Sequence, residues 1–384
     1  MSTDAITTAV EAAAPVLLEL SHFVHAHPEL GYEEYESAEA VARAAQAAGF
    51  SVERGAAELT TAFRAVKGSG RLHLALCAEY DALPDVGHAC GHNIIAASSL
   101  GAAIGLGAVA DELDLTVILL GTPSEEGGGG KIDLLRAGYF NDVHAAMMIH
   151  PWPEDRLTAA CLAVDHFDVT YRGRAAHASA APWEGVNALD ALTIAQVAIG
   201  LLRQQLRRDD QVHGMVVHGG SAANIIPARA VGRFMARSSS SERLAELRER
   251  VDACIRAGAL ATGAELSIEE IGSAFSHMVS DVDILAHYRR AAEGLGRNFR
   301  ADDAGEALPT ISTDMANVSL AVPSIHPLLA IDTRGAVNHQ PEFTAACVTP
   351  SADQAVLDGA LALARTGAAI ASDASLRARL MTRP

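Results

Sequence analysis

The sequence predicts an α/β fold in two domains: a main domain with a mostly parallel, mixed sheet flanked by helices, and an inserted ferredoxin-like domain with the order βαββαβ. Short apolar segments alternate with helical segments before residue 165, which is typical of a parallel sheet covered on both faces. Beyond that point apolar and polar residues alternate singly, which indicates strands with one solvated face. The chain of 384 residues is also longer than one typical domain.

The main domain is predicted to begin with two helices and to continue with three buried strands separated by helices. The strands are short apolar runs, and glycines end two of the helices. In chain order the predicted elements are helices from about Ile6 to His27 and from Glu36 to Ala48, strand Arg71–Glu79, helix Asn93–Leu113, strand Leu115–Gly121, helix Lys131–Gly138 and strand Ala145–His150.

The inserted domain is predicted from an alternating strand that contains Phe167, Val169 and Tyr171. Its second helix begins with a capping-box pattern, Ser239 to Glu242. The elements after the first strand are helix Val186–Gln205, strands Val212–His218 and Ala230–Arg237, a helix that runs to about Gly258, and strand Glu265–Ile271. This is the split βαβ order, so we divide the chain into residues 1–165 and 276–384 for the main domain and 166–275 for the insert.

Composition excludes several classes of protein. The net charge of -18 argues against nucleic acid as a partner, because phosphate binding needs clustered Lys and Arg. The five cysteines have no regular spacing, which disfavours a disulfide framework. The first 20 residues lack the basic start of a signal peptide, and no apolar run approaches the roughly 20 residues that span a bilayer. We therefore expect a cytoplasmic protein with no membrane partner.

Potential metal ligands follow the ends of all three apolar strands of the main domain. Sites in open α/β sheets form at the carboxyl ends of the strands, so these distant groups should converge. They are Glu79, Asp81, Cys90 and His92 after the first strand, Glu125 and Glu126 after the second, and His150 at the end of the third.

The chemistry of this group is that of a transition-metal site. Cys90 and His92 are separated by one glycine, so both side chains can reach one ion. Thiolate, imidazole and carboxylate together suit zinc or a neighbouring divalent metal. A lone cysteine is more often a small buried apolar residue, but the ligands expected at adjacent strand ends favour the metal.

The pair Glu125-Glu126 indicates hydrolytic chemistry. One carboxylate can bind metal while the other serves as general base toward a water activated at the site. The alternative is a solvated acidic turn, which the following glycines, Gly127 to Gly130, would also suit. Those glycines do not form a phosphate-binding loop, because Lys131 is followed by Ile132 rather than Ser or Thr.

Seven stretches spread over nearly the whole chain resemble one family. They are HAHPELG (25–31), AEYDALPDVGHACGHN (78–93), GTPSEEGGGGKIDLL (121–135), RAAHASAAPWEGVNALDA (174–191), VHGMVVHGGSAANIIPARA (212–230), STDMANVS (312–319) and NHQPEF (338–343). Together they resemble the M20 metallopeptidase family, in the amidohydrolase branch that contains aminobenzoyl-glutamate hydrolases and M20-domain dipeptidases.

The resemblance implies a metal-dependent amidohydrolase that cleaves a small N-acyl amino acid or dipeptide. It implies two divalent ions per chain, Zn²⁺ or Mn²⁺, with Glu125 as general base. It also implies a homodimer formed through the inserted lid domain. The metal ligands that it implies are Cys90, His92, Glu126, His150 and His339.

The resemblance also assigns roles outside the ligand set. His177 would stabilise the oxyanion, either within one chain or across a dimer, and Asn224 and Arg237 would hold the substrate carboxylate. Taken alone, His177 and Asn224 are typical turn or surface residues, and Arg237 is typical of a solvated charge. Asp81 would orient a metal ligand, whereas Glu79 is either a spare ligand or structural.

Two other interpretations of the function are compatible with the sequence. The same scaffold could serve a carbamoyl-amino-acid or ureide hydrolase, or a deaminase, because the metal ligands do not distinguish these reactions. The chain could also be a binding subunit without turnover, although every ligand position and the base position holds a chemically competent residue.

Overall fold

The computed structural model describes residues 2–299 and 310–382, and its contacts divide the chain into two compact units. The first unit is discontinuous and comprises Met1–Ala160 and Met278–Pro384. The second unit is the continuous segment Cys161–His277.

The elements alternate between helix and strand along most of the chain. The helices of the described residues are α1 (Ser2–Ala26), α2 (Tyr35–Ala47), α3 (His92–Gly107), α4 (Gly130–Arg136), α5 (Ala188–Leu202), α6 (Ser241–Thr262), α7 (Val282–Glu293), α8 (Met315–Ala321), α9 (Pro341–Ala346), α10 (Pro350–Ser372) and α11 (Ala374–Met381). The strands are β1 (Ser51–Arg54), β2 (Phe63–Lys67), β3 (Leu72–Ala78), β4 (Leu115–Gly121), β5 (Ala145–Met147), β6 (His150–Trp152), β7 (Ala160–Cys161), β8 (Ala163–Arg172), β9 (Gln211–His218), β10 (Arg229–Ser238), β11 (Glu265–Glu270), β12 (Thr310–Ile311), β13 (Ser324–Ile325) and β14 (Leu328–Ala330). Short 3₁₀ helices cover Ala56–Glu58, Pro182–Glu184 and Arg203–Gln205.

A six-stranded sheet in the order β1-β2-β4-β3-β5-β13 forms the centre of the first unit. The pairs β4-β3, β3-β5 and β5-β13 are parallel. At the other edge, β1 pairs antiparallel with β2, and β2 pairs antiparallel with β4. All seven residues of β4 are buried, as expected for a strand covered on both faces. The predicted mostly parallel, mixed sheet is confirmed.

Both faces of this sheet are covered by helices. Leu74 and Leu76 of β3 lie in one apolar cluster with residues of α1, α3 and α10. Ala75 and Cys77, which point to the other face, lie in a second cluster with residues of α4 and α8. Alternate residues of one strand therefore enter two cores, because side chains on a strand alternate in direction.

Helix α10 is the central helix of the larger core. Among the described residues it is the one helix that is long and apolar enough to cross a membrane. However, 78% of its apolar 18-residue stretch is buried inside the protein. It packs against α1, α3 and α7. Asp353, Asp358 and Arg365 interrupt the helix, so it contains no continuous apolar run of membrane-spanning length. The burial of the helix identifies it as a core element.

The second unit has a four-stranded antiparallel sheet in the order β11-β8-β10-β9. Phe167, Val169 and Tyr171 of β8 point into a core formed with α5 and α6, and the order βαββαβ is confirmed. The cap of α6 differs from the prediction. Ser240 is the N-cap, because its backbone is extended and its hydroxyl accepts the N–H of Arg243, whereas Ser239 lies one residue earlier.

The third predicted strand, Ala145–His150, is interrupted. β5 ends at Met147 between β3 and β13, and β6 starts at His150 and pairs with β14 instead. The N–H of His150 donates to the carbonyl of Pro327 at 2.9 Å. This change of partner places the His150 side chain just beyond the carboxyl end of the sheet.

Candidate active site

The side chains that follow β3, β4 and β5 meet at the carboxyl ends of these strands. Ala78 and Gly121, the last residues of β3 and β4, are register partners, so the loops that follow them start side by side. Within each of three groups, the candidate ligand atoms lie no more than 4.8 Å apart. The groups are Cys90, His92 and His150; Cys90, Glu126 and His339; and Glu79, His92 and Glu125.

Asp81 orients the imidazole of His92. The Oδ1 atom of Asp81 lies 3.0 Å from Nδ1 of His92, and Oδ2 of Asp81 accepts the N–H of Glu126 at 3.0 Å. Burial opposes a charge on His92, but the carboxylate of Asp81 outweighs it and holds the pKa of His92 well above its usual range, an effect that a bound cation would reverse. A carboxylate that accepts from Nδ1 leaves Nε2 directed at the site.

Nε2 of His92 is surrounded by acceptor atoms. It lies 3.5 Å from Oε2 of Glu79, 3.8 Å from Oε2 of Glu125 and 3.8 Å from Oε1 of Glu126. Within the described part of the chain, Nε2 of His92, Oε2 of Glu79 and Oε1 of Glu126 are buried without a hydrogen-bond partner. Buried acceptors that converge without a donor are costly unless a cation joins them. The donor set therefore fits a metal ion.

The remaining ligand candidates also suit a cation. Nδ1 of His150 lies 2.8 Å from the carbonyl of Pro151, which leaves Nε2 available. Burial, together with the neighbouring His326 and His92, holds the pKa of His150 well below its usual range, so the ring is neutral as a ligand must be. Burial and the carboxylate of Glu126 raise the pKa of Cys90, and a bound cation would reverse this effect and stabilise the thiolate.

Unusual backbone conformations occur among the ligand candidates. Gly91, between Cys90 and His92, has φ 71°, and a Cβ there would lie 2.8 Å from Cγ of Pro151. His339 has φ 70°, which few non-glycine residues adopt, and its N–H donates to the carbonyl of Ala89 at 3.0 Å. Backbone strain of this kind clusters at functional sites.

Glu125 is the candidate proton acceptor. Burial, with the nearby charges of Glu79 and Glu126, raises its pKa well above the usual range. The loop is anchored one residue earlier, where the N–H of Ser124 donates to Oε1 of Glu34 at 2.7 Å. A positioned carboxylate with a raised pKa is suited to accept and return a proton near neutral pH.

The predicted oxyanion-stabilising residue, His177, and the predicted substrate-binding residues, Asn224 and Arg237, lie in the second unit. His177 is exposed, and its Nδ1 accepts the N–H groups of Ser179 and Ala180, both at 3.2 Å. The neutral ring therefore has its proton on Nε2. The loops of His177 and Asn224 are adjacent, because the N–H of Ala178 donates to the carbonyl of Asn224 at 3.0 Å.

Arg237 lies apart from those two residues. β10 begins at Arg229, which is the register partner of Arg172 at the end of β8 that leads to His177. Arg237 lies at the other end of β10, about 26 Å away along the strand. The structure thus brings together His177 and Asn224 and separates both from Arg237.

Three residues near the site were not singled out by the sequence analysis. Lys131 is fully buried and pairs with Glu79 and with Asp314. His326 is buried with its ring centroid 5.5 Å from that of His150, and its Nε2 has no hydrogen-bond partner among the described residues. Asp314 and Lys131 each lie in one of the seven resembling stretches, which was a signal, but nothing in the sequence marks Lys131 or His326 as buried.

Comparison with known proteins relates the whole chain to one set of hydrolases. A family profile described as a peptidase dimerisation domain matches residues 164–262. The Xaa-Arg dipeptidase of Mus musculus is 39% identical over 372 residues, which cover 93% of this chain and 86% of the mouse protein. One of the subunits of the p-aminobenzoyl-glutamate hydrolase of Escherichia coli is 31% identical over 278 residues, which cover 67% of this chain and 58% of that protein.

Solved structures share the fold. An aminobenzoyl-glutamate utilization protein from Klebsiella pneumoniae has a TM-score of 0.74 at 21% identity and covers 93% of this chain and 97% of its own. The YXEP protein of Bacillus subtilis, described as a dinuclear metal binding peptidase from the M20 family, has a TM-score of 0.71 at 22% identity, with coverage of 94% and 99%. The similarity to the mouse dipeptidase over almost the whole chain establishes that this protein belongs to the M20 peptidase family, whose members are metallohydrolases of peptide and amide bonds.

Proposed function

We propose that this protein hydrolyses the amide bond of small dipeptides or N-acyl amino acids with two divalent ions, Zn²⁺ or Mn²⁺. The supporting observation is that unpartnered acceptor atoms converge around Nε2 of His92 beside a buried carboxylate, Glu125, whose pKa is raised. The ligands we assign are Cys90, His92, Glu126, His150 and His339, in the groups whose atoms lie within 4.8 Å of one another.

The ions, when bound, supply positive charge that polarises the scissile carbonyl and promotes ionisation of water. Glu125 takes a proton from the attacking water as its oxygen adds to the carbonyl carbon. The same carboxyl then gives this proton to the amine nitrogen as the C–N bond breaks, so the base is regenerated. Asp81 keeps the His92 ring in place through the 3.0 Å contact to Nδ1.

We assign to His177 the stabilisation of the oxyanion. Its Nδ1 accepts two backbone N–H groups, so the proton on Nε2 is available for donation. Such a preorganised donor acts where negative charge develops during the reaction. Asn224, on the adjacent loop, and Arg237 are assigned to the substrate carboxylate.

We propose a homodimer formed through the second unit. β9 is an edge strand of its sheet, and Met215, Val216 and Val217 are exposed on it. An exposed apolar edge is unusual unless it pairs with another chain. His177 and Asn224 lie at one end of the sheet and Arg237 lies at the other. We infer that, in the dimer, these two sets of residues from one chain serve the active sites of different chains. One set would then act across the dimer.

The substrate class we favour is a dipeptide with a basic C-terminal residue, because the mouse relative at 39% identity is an Xaa-Arg dipeptidase. We also propose a cytoplasmic location, which is in keeping with the five cysteines all being free thiols.

A hydrolysis screen of the full-length protein tests the proposed reaction. The metal-free protein, supplied with Zn²⁺ or Mn²⁺, is assayed with dipeptides that end in Arg or Lys, with N-acyl amino acids and with carbamoyl amino acids. We expect metal-dependent release of the free C-terminal amino acid from the dipeptides. Turnover of carbamoyl amino acids alone would assign a different bond specificity. A protein that binds no metal and cleaves none of the panel would be a binding subunit.

A further inference from the structure

A fully buried ion cluster lies directly behind the proposed metal site and has no role in the reaction described above. Nζ of Lys131 lies 2.5 Å from Oε1 of Glu79 and 2.6 Å from Oδ1 of Asp314. The backbone N–H of Lys131 donates to Oδ2 of Asp314 at 2.9 Å. All three side chains are shielded from solvent.

The charges of this cluster do not cancel. One ammonium group, that of Lys131, faces the two carboxylates of Glu79 and Asp314. With both carboxylates ionised, the cluster holds one uncompensated negative charge out of contact with water. Such a charge is expensive unless a further cation is close.

The geometry shows where that cation would lie. Lys131 engages one oxygen of Glu79, Oε1, and so fixes the plane of the carboxylate. The other oxygen, Oε2, is buried without a hydrogen-bond partner among the described residues and lies 3.5 Å from Nε2 of His92. Glu79, His92 and Glu125 form one of the three groups of mutually close ligand atoms.

A direct hydrogen bond between Glu79 and His92 is a poorer explanation. The 3.5 Å separation is long for a charge-assisted bond, which is typically about 2.7–2.9 Å. Two groups held rigidly at such a distance are better joined by an ion that both can bind. The hydrogen bond from Lys131 to Oε1 also prevents the carboxylate of Glu79 from rotating away from the site.

We propose that Glu79 is a sixth protein ligand of the metal centre, and that Lys131 and Asp314 position its free oxygen toward the ion bound by His92. This inference rests on the proposed metal-dependent function and extends its ligand set. Lys131 and Asp314 are positioning residues, because they touch Glu79 and not the ion.

A structure of the wild-type protein loaded with Mn²⁺ or Zn²⁺ gives the direct test, with the ions located by anomalous scattering. We expect Oε2 of Glu79 within about 2.0–2.2 Å of one ion. Two ions held by the other five ligands, with Oε2 of Glu79 beyond about 3 Å, would overturn this inference and leave the proposed function intact. The absence of ions at the site would overturn both.

Metal affinity of variants gives a second test, measured by chelator competition and by metal content per chain. Glu79→Gln should weaken the binding of one ion by at least about tenfold. Lys131→Met should weaken it by about 10–100-fold, because loss of a group that orients a metal ligand commonly costs this much. Asp358→Asn is the matched control, because Asp358 is also a buried carboxylate but pairs with Arg297 rather than facing His92. Folded Glu79→Gln protein with wild-type affinity for both ions would refute the assignment.

Discussion

At the scale of single residues, the two neighbouring glutamates in the loop after β4 differ in surroundings. Glu125 has a raised pKa from burial and nearby carboxylates, whereas Glu126 shares a group of close ligand atoms with Cys90 and His339.

We expect Glu125→Gln to lower kcat by about 10²–10⁴-fold, as for loss of a general base, while both ions stay bound. Glu126→Gln should lose metal as well as activity. Parallel measurements of kcat and metal content distinguish the two variants, and near-normal turnover by Glu125→Gln would show that another group is the base.

Glu34 gives a second prediction at this scale, for the pH dependence of stability. Burial and the charge of Asp81 raise the pKa of Glu34 from 4.5 to about 7. The folded protein therefore binds this proton more tightly than the unfolded chain. The stabilising contribution is complete below about pH 4.5 and is lost as the pH rises to about 7.

Replacing Glu34 by Gln removes this dependence. At pH 8 the free energy of unfolding of Glu34→Gln should exceed that of the wild type by up to about 3 kcal/mol, and the difference should shrink toward pH 5. Urea denaturation at both pH values, at a fixed metal concentration, measures it. Glu33→Gln, at an exposed neighbouring position, should show no such trend. A difference for Glu34→Gln that grows as the pH falls would contradict the assignment.

At the scale of the elements, the turn into α3 depends on one glycine. Gly91 has φ 71°, and a methyl group there would meet Pro151. Gly91→Ala should lower the free energy of unfolding by about 1–3 kcal/mol, from left-handed strain and overpacking, and should weaken metal binding by displacing Cys90 and His92. Gly55→Ala is the control, because Gly55 also has φ 71° but no atom lies within 4 Å of the position that its added methyl group would take. Equal metal affinities in the two variants would show that the contact with Pro151 does not position the ligands.

The elements also show how far the sequence could be interpreted. The apolar runs of β3 and β4 were enough to predict a parallel sheet and the convergence of Glu79, His92 and Glu125 at its carboxyl ends. The break between β5 and β6 was missed, because it follows from a change of pairing partner that a single apolar run does not reveal. The pairing of Lys131 with Asp314 was missed for a similar reason. The two residues are distant in sequence, and a lysine that follows glycines is usually solvated.

At the scale of the whole molecule, the β9 edge is the surface on which the proposed dimer depends. Val217 is exposed on this edge strand, and a lysine there should oppose pairing between strands of two chains. We expect Val217→Lys to shift the protein from dimer to monomer in size-exclusion chromatography with light scattering. Activity should fall in parallel if His177 acts across the dimer. Leu260→Lys, at an exposed apolar position on α6, is the control and should stay dimeric. A dimeric Val217→Lys protein would place the interface elsewhere.

The discontinuity of the first unit has a consequence for biosynthesis. Its core needs α10, and its proposed ligand set needs His339, yet both follow the complete second unit along the chain. During translation the second unit therefore emerges whole before α10 does, and the face of α3 that packs on α10 stays uncovered until α10 has been made. Truncation near the C-terminus should accordingly yield an inactive, aggregation-prone product even though most of the predicted ligands are present.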